Sequence, residues 1–142
     1  MTALAHQATA VAINGRALLI EGAPGSGKSS LALALIDRGA VLIGDDAVMI
    51  EPAADGLLVS PHPRVAGLIE VRNVGLLTLP VVAAVPLALV LLLDHAAPRH
   101  VEAAGQARRG GMAVPMLRLW PDSPVLALRA ELALARYGLG GL

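Results

Sequence analysis

Residues 22–29 read GAPGSGKS and contain the only lysine of the chain; the other ten of its eleven basic residues are arginines. The stretch fits the pattern G-x-x-x-x-G-K-[ST]. Before it stands a short apolar run, RALLIE at 16–21, and after it KSSLALALIDRG at 28–39, rich in Ala and Leu and closed by a glycine. The context therefore predicts a strand, a glycine-rich loop and a helix with a glycine stop. Each residue type has a physical reason. Glycines let backbone N–H groups turn inward around phosphate oxygens, the helix adds its positive end, and a lysine supplies a mobile point charge. Arginine, with a bulkier planar fork, does not replace lysine there. Gly22, Ala23, Pro24, Gly25, Ser26, Gly27, Lys28, Ser29 and Ser30 are thus candidates for holding the phosphates of a nucleotide such as ATP. The hydroxyl of Ser29 would face a Mg²⁺ ion.

Working outward, ATAVAI at 8–13 and RALLIE are joined by Asn14-Gly15, which predicts a hairpin. Beyond the helix, AVLIG predicts a strand that ends in Asp45-Asp46. One helix and one short strand are the length of a crossover that returns the chain parallel to the strand before the loop. The two aspartates would then stand at the carboxyl edge of the sheet, beside the loop. Adjacent carboxylates within a strand point to opposite faces, so a strand end or turn is needed to bring both to one site. One could organise Mg²⁺ and the other accept a proton from an attacking hydroxyl.

Further along, AVMIE, LLVS and LALVLLLD read as strands, the last of them buried, and MAVPMLRLW as a later one. In LIEVRNVGLL, Glu70 and Arg72 stand two apart and on a strand would share a face. SPVLALRAELALARYG reads as a closing helix with Ser123 as N-cap and Pro124 in the first position. Together these predict one α/β domain over 1–142, with a mixed sheet, flanking helices and the loop at its carboxyl edge.

Composition excludes several classes. At 56% hydrophobic and 15% charged, the chain is unusually apolar, which favours an oligomer. Net charge is zero and the arginines are scattered, so no basic stripe invites nucleic acid. The absence of cysteine removes disulfides and thiol chemistry. Pro86 and Asp94 keep the most apolar run too short for a membrane span, and the first residues lack a secretion pattern, so the expected location is cytoplasmic.

GAPGSGKSSLALALIDRGAVLIGDDAV and LIEVRNVGLL together resemble the catalytic domain of HPr kinase/phosphorylase. The resemblance runs from about Ala8 to the closing helix and implies a fold shared with phosphoenolpyruvate carboxykinase, in a form with the kinase domain only. It implies ATP- and Mg²⁺-dependent phosphorylation of a serine of the phosphocarrier protein HPr, phosphorolysis in reverse, a role in carbohydrate regulation through the phosphotransferase system, and a hexamer. By the same resemblance Asp45 is the general base, Ser29, Asp46 and Glu70 lie near Mg²⁺, and Lys28, Glu70 and Arg72 belong to the catalytic set. The roles of His6, Asp94 and Arg99 stay open. Ser30, Ala40 and Asn73 depart from the family pattern, the last standing where the signature has a glycine; Asn is the residue that best tolerates positive φ there. With Trp120 and Tyr137 as the only aromatics, nucleotide recognition should be dominated by phosphates. Two alternatives remain: a small-molecule kinase or NTPase, and an inert ATP-binding regulatory module.

Overall fold

The computed structural model describes residues 2–140. Eleven strands and two helices follow in the order β1 (Leu4–His6), β2 (Thr9–Ile13), β3 (Arg16–Gly22), α1 (Lys28–Asp37), β4 (Val41–Gly44), β5 (Val48–Ala53), β6 (Gly56–Pro61), β7 (Leu68–Val71), β8 (Gly75–Thr78), β9 (Val85–Leu93), β10 (Gly105–Arg109), β11 (Met112–Leu119) and α2 (Leu126–Tyr137). Asn14 and Gly15, with φ of 50° and 78°, close the predicted β2–β3 hairpin, pairing Ile13 with Arg16. Positive φ at both positions gives the loop the twist that a two-residue hairpin needs.

Nine strands form one mixed sheet in the order β1-β5-β6-β9-β3-β2-β4, with β11 also paired to β9 and β10 to β11. The buried strand β9 is its hub. It runs parallel to β3 along one edge, while its other edge pairs antiparallel with β6 at Val85–Pro86 and parallel with β11 from Val90 to Leu93. Both faces of β3 and β9 are covered, which is why their sequences are continuous apolar runs rather than alternating ones. On one face Leu18, Ile20, Leu89 and Leu91 pack with Leu31 and Leu35 of α1 and Leu134 of α2. On the other, Leu19 and Val90 meet Val48, Ile50 and Val59 from β5 and β6, so the curl of the sheet closes its own helix-free side.

The crossover β3–α1–β4 does bring β4 back parallel to β3, but β2 lies between them, antiparallel to both. The two parallel strands therefore end side by side across the start of β2.

Several expectations are corrected in detail. Arg72 is not on a strand with Glu70; it lies in the turn that joins β7 to β8, a separate two-stranded hairpin. Pro86 does not break the apolar run but sits exposed inside β9 near its start. The closing helix begins at Leu126 rather than at Pro124, and the Ser123 hydroxyl instead accepts a hydrogen bond from the Val125 amide, 3.1 Å away, in the turn before it. β10, with the polar sequence GQARR, carries no strand signal and is held by its ladder to β11. Among the described residues, no helix is long and apolar enough to cross a membrane.

Candidate functional site

The glycine-rich loop leaves the carboxyl end of β3 and re-enters as α1, whose first residue is Lys28. Gly27, with φ of 100°, precedes the helix in a left-handed conformation open to glycine and little else. Gly22 is required for a different reason: a Cβ there would stand 2.6 Å from Ser26 Oγ and 3.1 Å from the Leu93 carbonyl. The loop is thus folded tightly against the end of β9. Within it the Ser26 amide donates to the Ala23 carbonyl at 3.0 Å, while Ser26 Oγ is buried with no partner among the described residues. Lys28 Nζ turns back and donates to the carbonyls of Gly22 and Ala23, at 3.0 and 3.1 Å. The lysine is therefore drawn over the loop it would share with a phosphate.

At the end of β4, Asp45 meets that loop. Ser29 Oγ donates to Asp45 Oδ1 at 2.6 Å, Thr9 Oγ1 donates to the same oxygen at 3.0 Å, and the Glu70 amide donates to Asp45 Oδ2 at 3.3 Å. Asp46 takes φ of 68°, and its amide donates to Thr9 Oγ1 at 3.3 Å. Its exposed carboxylate has no hydrogen-bond partner among the described residues. The resemblance implies that Ser29 and Asp46 lie near Mg²⁺; in the structure Ser29 is hydrogen-bonded to Asp45, and both aspartates border the same cavity as Ser29.

A cavity of about 360 Å³ gathers Lys28, Ser29, Asp45, Asp46, Glu70 and Arg72. Eight sequence-predicted loop residues, Pro24, Gly25, Gly27, Lys28, Ser29 and Ser30 here and Gly22 and Ala23 behind them, border this space or the next. That next cavity, of about 580 Å³, opens on the other side of Lys28 and Asp46 and is bounded by Gln7, Glu21, Ala23 and Leu92. Glu70 and Arg72 reach the first cavity from one hairpin, without an ion pair between them.

Among the described residues there is no group of three or more His, Cys, Asp or Glu side chains able to hold a metal by itself. What the site does offer is a hydroxyl and a carboxylate oxygen 2.6 Å apart, next to a lysine. A hard cation that keeps several waters and shares phosphate oxygens needs no more from the protein, so the donor set fits Mg²⁺ in company with a nucleotide.

Glu21, the residue before the loop, was missed in the sequence. It is bonded by His6 Nε2 at 2.7 Å and by both Nε and Nη2 of Arg109. Burial alone would push its carboxyl up, but the hydrogen bonds and charges of His6 and Arg109 outweigh this and lower it to about 2. His6 thereby receives a place, beside Glu21 on β1. Asp94 faces Arg118 at 3.6 Å and caps its own turn through the Ala96 amide, and neither it nor Arg99 borders the cavities.

Comparison with known proteins follows the same lines. A family described as HPr Serine kinase C-terminal domain matches residues 2–83. HPr kinase/phosphorylase of Exiguobacterium sibiricum is 43% identical over 68 residues, 47% of this chain and 22% of that protein. Its counterpart in Bordetella pertussis is 47% identical over 64 residues, 44% of this chain and 21% of that protein. The matching segment thus spans about a fifth of the length of these curated relatives. In three dimensions the similarity extends further: the Hpr(Ser) kinase/phosphatase from Coxiella burnetii superposes with a TM-score of 0.80 at 25% identity, covering 92% of this chain and 88% of that one.

Proposed function

Since the chain belongs to the HPr serine kinase C-terminal domain family, we propose that it is an ATP-dependent protein-serine kinase whose acceptor is the phosphocarrier HPr. The observation that carries this reading is the Ser29–Asp45 hydrogen bond of 2.6 Å beside Lys28, which joins the loop to the paired aspartates in one cavity. An inert nucleotide-binding module needs the loop, but it has no need of two carboxylates at the phosphate end.

The proposed reaction is an in-line displacement. The acceptor serine oxygen forms a bond to the γ-phosphorus, the bond from phosphorus to the ADP oxygen breaks, and the serine proton passes to a carboxylate. Lys28 leaves the carbonyls of Gly22 and Ala23 for the phosphate oxygens, and the loop amides hold the remainder. Ser29 and one aspartate would hold Mg²⁺, which, when bound, neutralises charge on the phosphates. Arg72, in the turn of its hairpin, and Glu70 line the same cavity, where they would face the acceptor. Phosphorolysis would use the same groups in reverse, with phosphate attacking phosphoserine to release pyrophosphate.

The resemblance gives proton acceptance to Asp45 and the metal to Asp46. A specific observation favours the exchange of these roles: Asp45 already accepts from Ser29, Thr9 and the Glu70 amide, whereas the Asp46 carboxylate is unbonded and borders both cavities. Asp45→Asn and Asp46→Asn separate the two assignments, because loss of the base stops transfer while Mg²⁺-dependent ATP binding persists.

The test of the function is transfer of label from γ-labelled ATP with Mg²⁺ to HPr serine, with Lys28→Ala as control. Lysine-dependent labelling supports the kinase. Binding of ATP without labelling of HPr would shift the reading to another acceptor or to the inert module.

A further inference from the structure

Thr9 belongs to no motif, yet it is 1% exposed and is one of two buried polar residues among those described. Its position explains why. It opens β2, the strand inserted between β3 and β4, so its side chain stands where the loop and the aspartate turn come together. The register between β2 and β4 slips between Ala10 and Val11, one residue from Thr9. Such an irregularity re-aims the strand end that follows it. By itself a slip gives the next residues freedom, not a defined direction.

The Thr9 hydroxyl supplies the direction. An amide can only donate, so the Asp46 N–H at 3.3 Å must meet a lone pair of Oγ1. The hydroxyl proton is then committed to Asp45 Oδ1 at 3.0 Å, the same oxygen that Ser29 reaches at 2.6 Å. One buried hydroxyl thereby fixes the carboxylate of the first aspartate and the left-handed backbone of the second. A valine of the same shape has no hydroxyl and would fix neither.

We infer that Thr9 is a positioning residue, which orients Asp45 toward Ser29 and sets the Asp46 turn, so that the chain is preorganised for a Mg²⁺-nucleotide complex. This rests on the reading of the cavity as a Mg²⁺-nucleotide site. The role is indifferent to which aspartate takes the proton, because both are held from the same oxygen.

The test uses Thr9→Val, which removes the hydroxyl and keeps the shape, and Thr9→Ser, which keeps the hydroxyl and removes the methyl, in the full chain. ADP affinity is measured by calorimetry with and without Mg²⁺. Removing a group that orients a metal ligand typically costs 10–100-fold in metal affinity. The Mg²⁺-dependent gain in ADP affinity should therefore fall about tenfold or more in Thr9→Val and stay within about twofold in Thr9→Ser. A crystal structure of nucleotide-free Thr9→Val should show Ser29 and Asp45 separated beyond hydrogen-bond distance. Unchanged MgADP binding in Thr9→Val, or an equal loss in Thr9→Ser, overturns the positioning role. A wild-type chain whose ADP affinity ignores Mg²⁺ overturns both the role and the reading of the site. A wild type that binds MgADP but labels no serine overturns the kinase alone, and Thr9 is still judged by the binding.

Discussion

Arg109 grips Glu21 from 88 residues further along the chain, its Nε 2.9 Å from Oε2 and its Nη2 on Oε1. The pair ties the β10–β11 hairpin to the residue just before the loop, and both side chains are largely covered, 21% and 15% exposed. Breaking it leaves a covered carboxylate with His6 as its remaining partner. Arg109→Ala should therefore destabilise the fold by about 2–3 kcal/mol, at or just below the range for a fully buried pair because some water still reaches both groups. Glu21 and Lys28 border the same cavity, so the uncompensated charge should also raise the KM for ATP in the proposed transfer several-fold, more so at low salt. Urea unfolding and initial rates check both; a variant as stable as wild type would show that His6 alone satisfies Glu21.

The same carboxyl makes stability depend on acid. Its folded value is lowered from 4.5 to about 2, against burial, by the hydrogen bonds and charges of His6 and Arg109. A group depressed in the folded state stabilises above its unfolded value and loses that contribution as pH falls toward the folded one. The contribution is thus complete above about pH 4.5 and drains away toward pH 2. At about 1.4 kcal/mol per unit, it amounts to about 3 kcal/mol. The stability gap between wild type and Glu21→Gln should narrow by about this much between pH 5 and pH 2. A gap that stays constant over that range would mean that Glu21 is not the titrating group.

Gly22 and Ser26 should be coupled. The Cβ of Gly22→Ala would press on Ser26 Oγ at 2.6 Å and on the Leu93 carbonyl at 3.1 Å, and overpacking of this kind costs about 1–3 kcal/mol. Ser26→Ala removes a buried hydroxyl that has no partner, so alone it should be neutral or stabilising by up to about 1 kcal/mol. In the Ser26→Ala background the cost of Gly22→Ala should shrink by at least about 0.5 kcal/mol, measured by a double-mutant cycle. Additive effects would identify the Leu93 backbone as the obstacle instead.

These residues also show which parts of the molecule could be read from sequence. GAPGSGKS, Asn14-Gly15 and Asp45-Asp46 announce themselves because each is a local demand: a backbone turn, a positive φ or a strand end. From them came the β2–β3 hairpin, the helix at Lys28 and the meeting of Ser29, Lys28 and the aspartates at one sheet edge. Thr9 was invisible, since a threonine opening an apolar strand is ordinary for a β-branched residue; its hydroxyl finds its two partners in the aspartate turn beyond β4, far along the chain. Glu21 and Arg109 were invisible for another reason, being joined through β10, whose polar sequence becomes a strand only by pairing with β11. Placing Arg72 in a turn likewise depended on Asn73 adopting φ of 70°, which sequence allowed but did not require.

That angle makes the last prediction specific. Asn73 occupies the turn between β7 and β8 in a left-handed conformation, next to Arg72 and on the hairpin that carries Glu70 to the cavity. Glycine reaches this conformation without the Cβ penalty, which is about 1–2 kcal/mol for an ordinary residue and less for asparagine. Asn73→Gly should thus match wild type in stability or exceed it by up to about 0.5 kcal/mol. Asn73→Val should cost about 1–2 kcal/mol, because a β-branched residue is a strong outlier at positive φ. β7 and β8 pair only with each other, so the valine can move the hairpin without unfolding the main sheet. The rate of the proposed phosphoryl transfer should then fall by a larger factor than the melting temperature suggests, while Asn73→Gly keeps the wild-type rate. Equal rates in all three proteins would show that the hairpin's exact placement, and with it Arg72, does not matter to transfer.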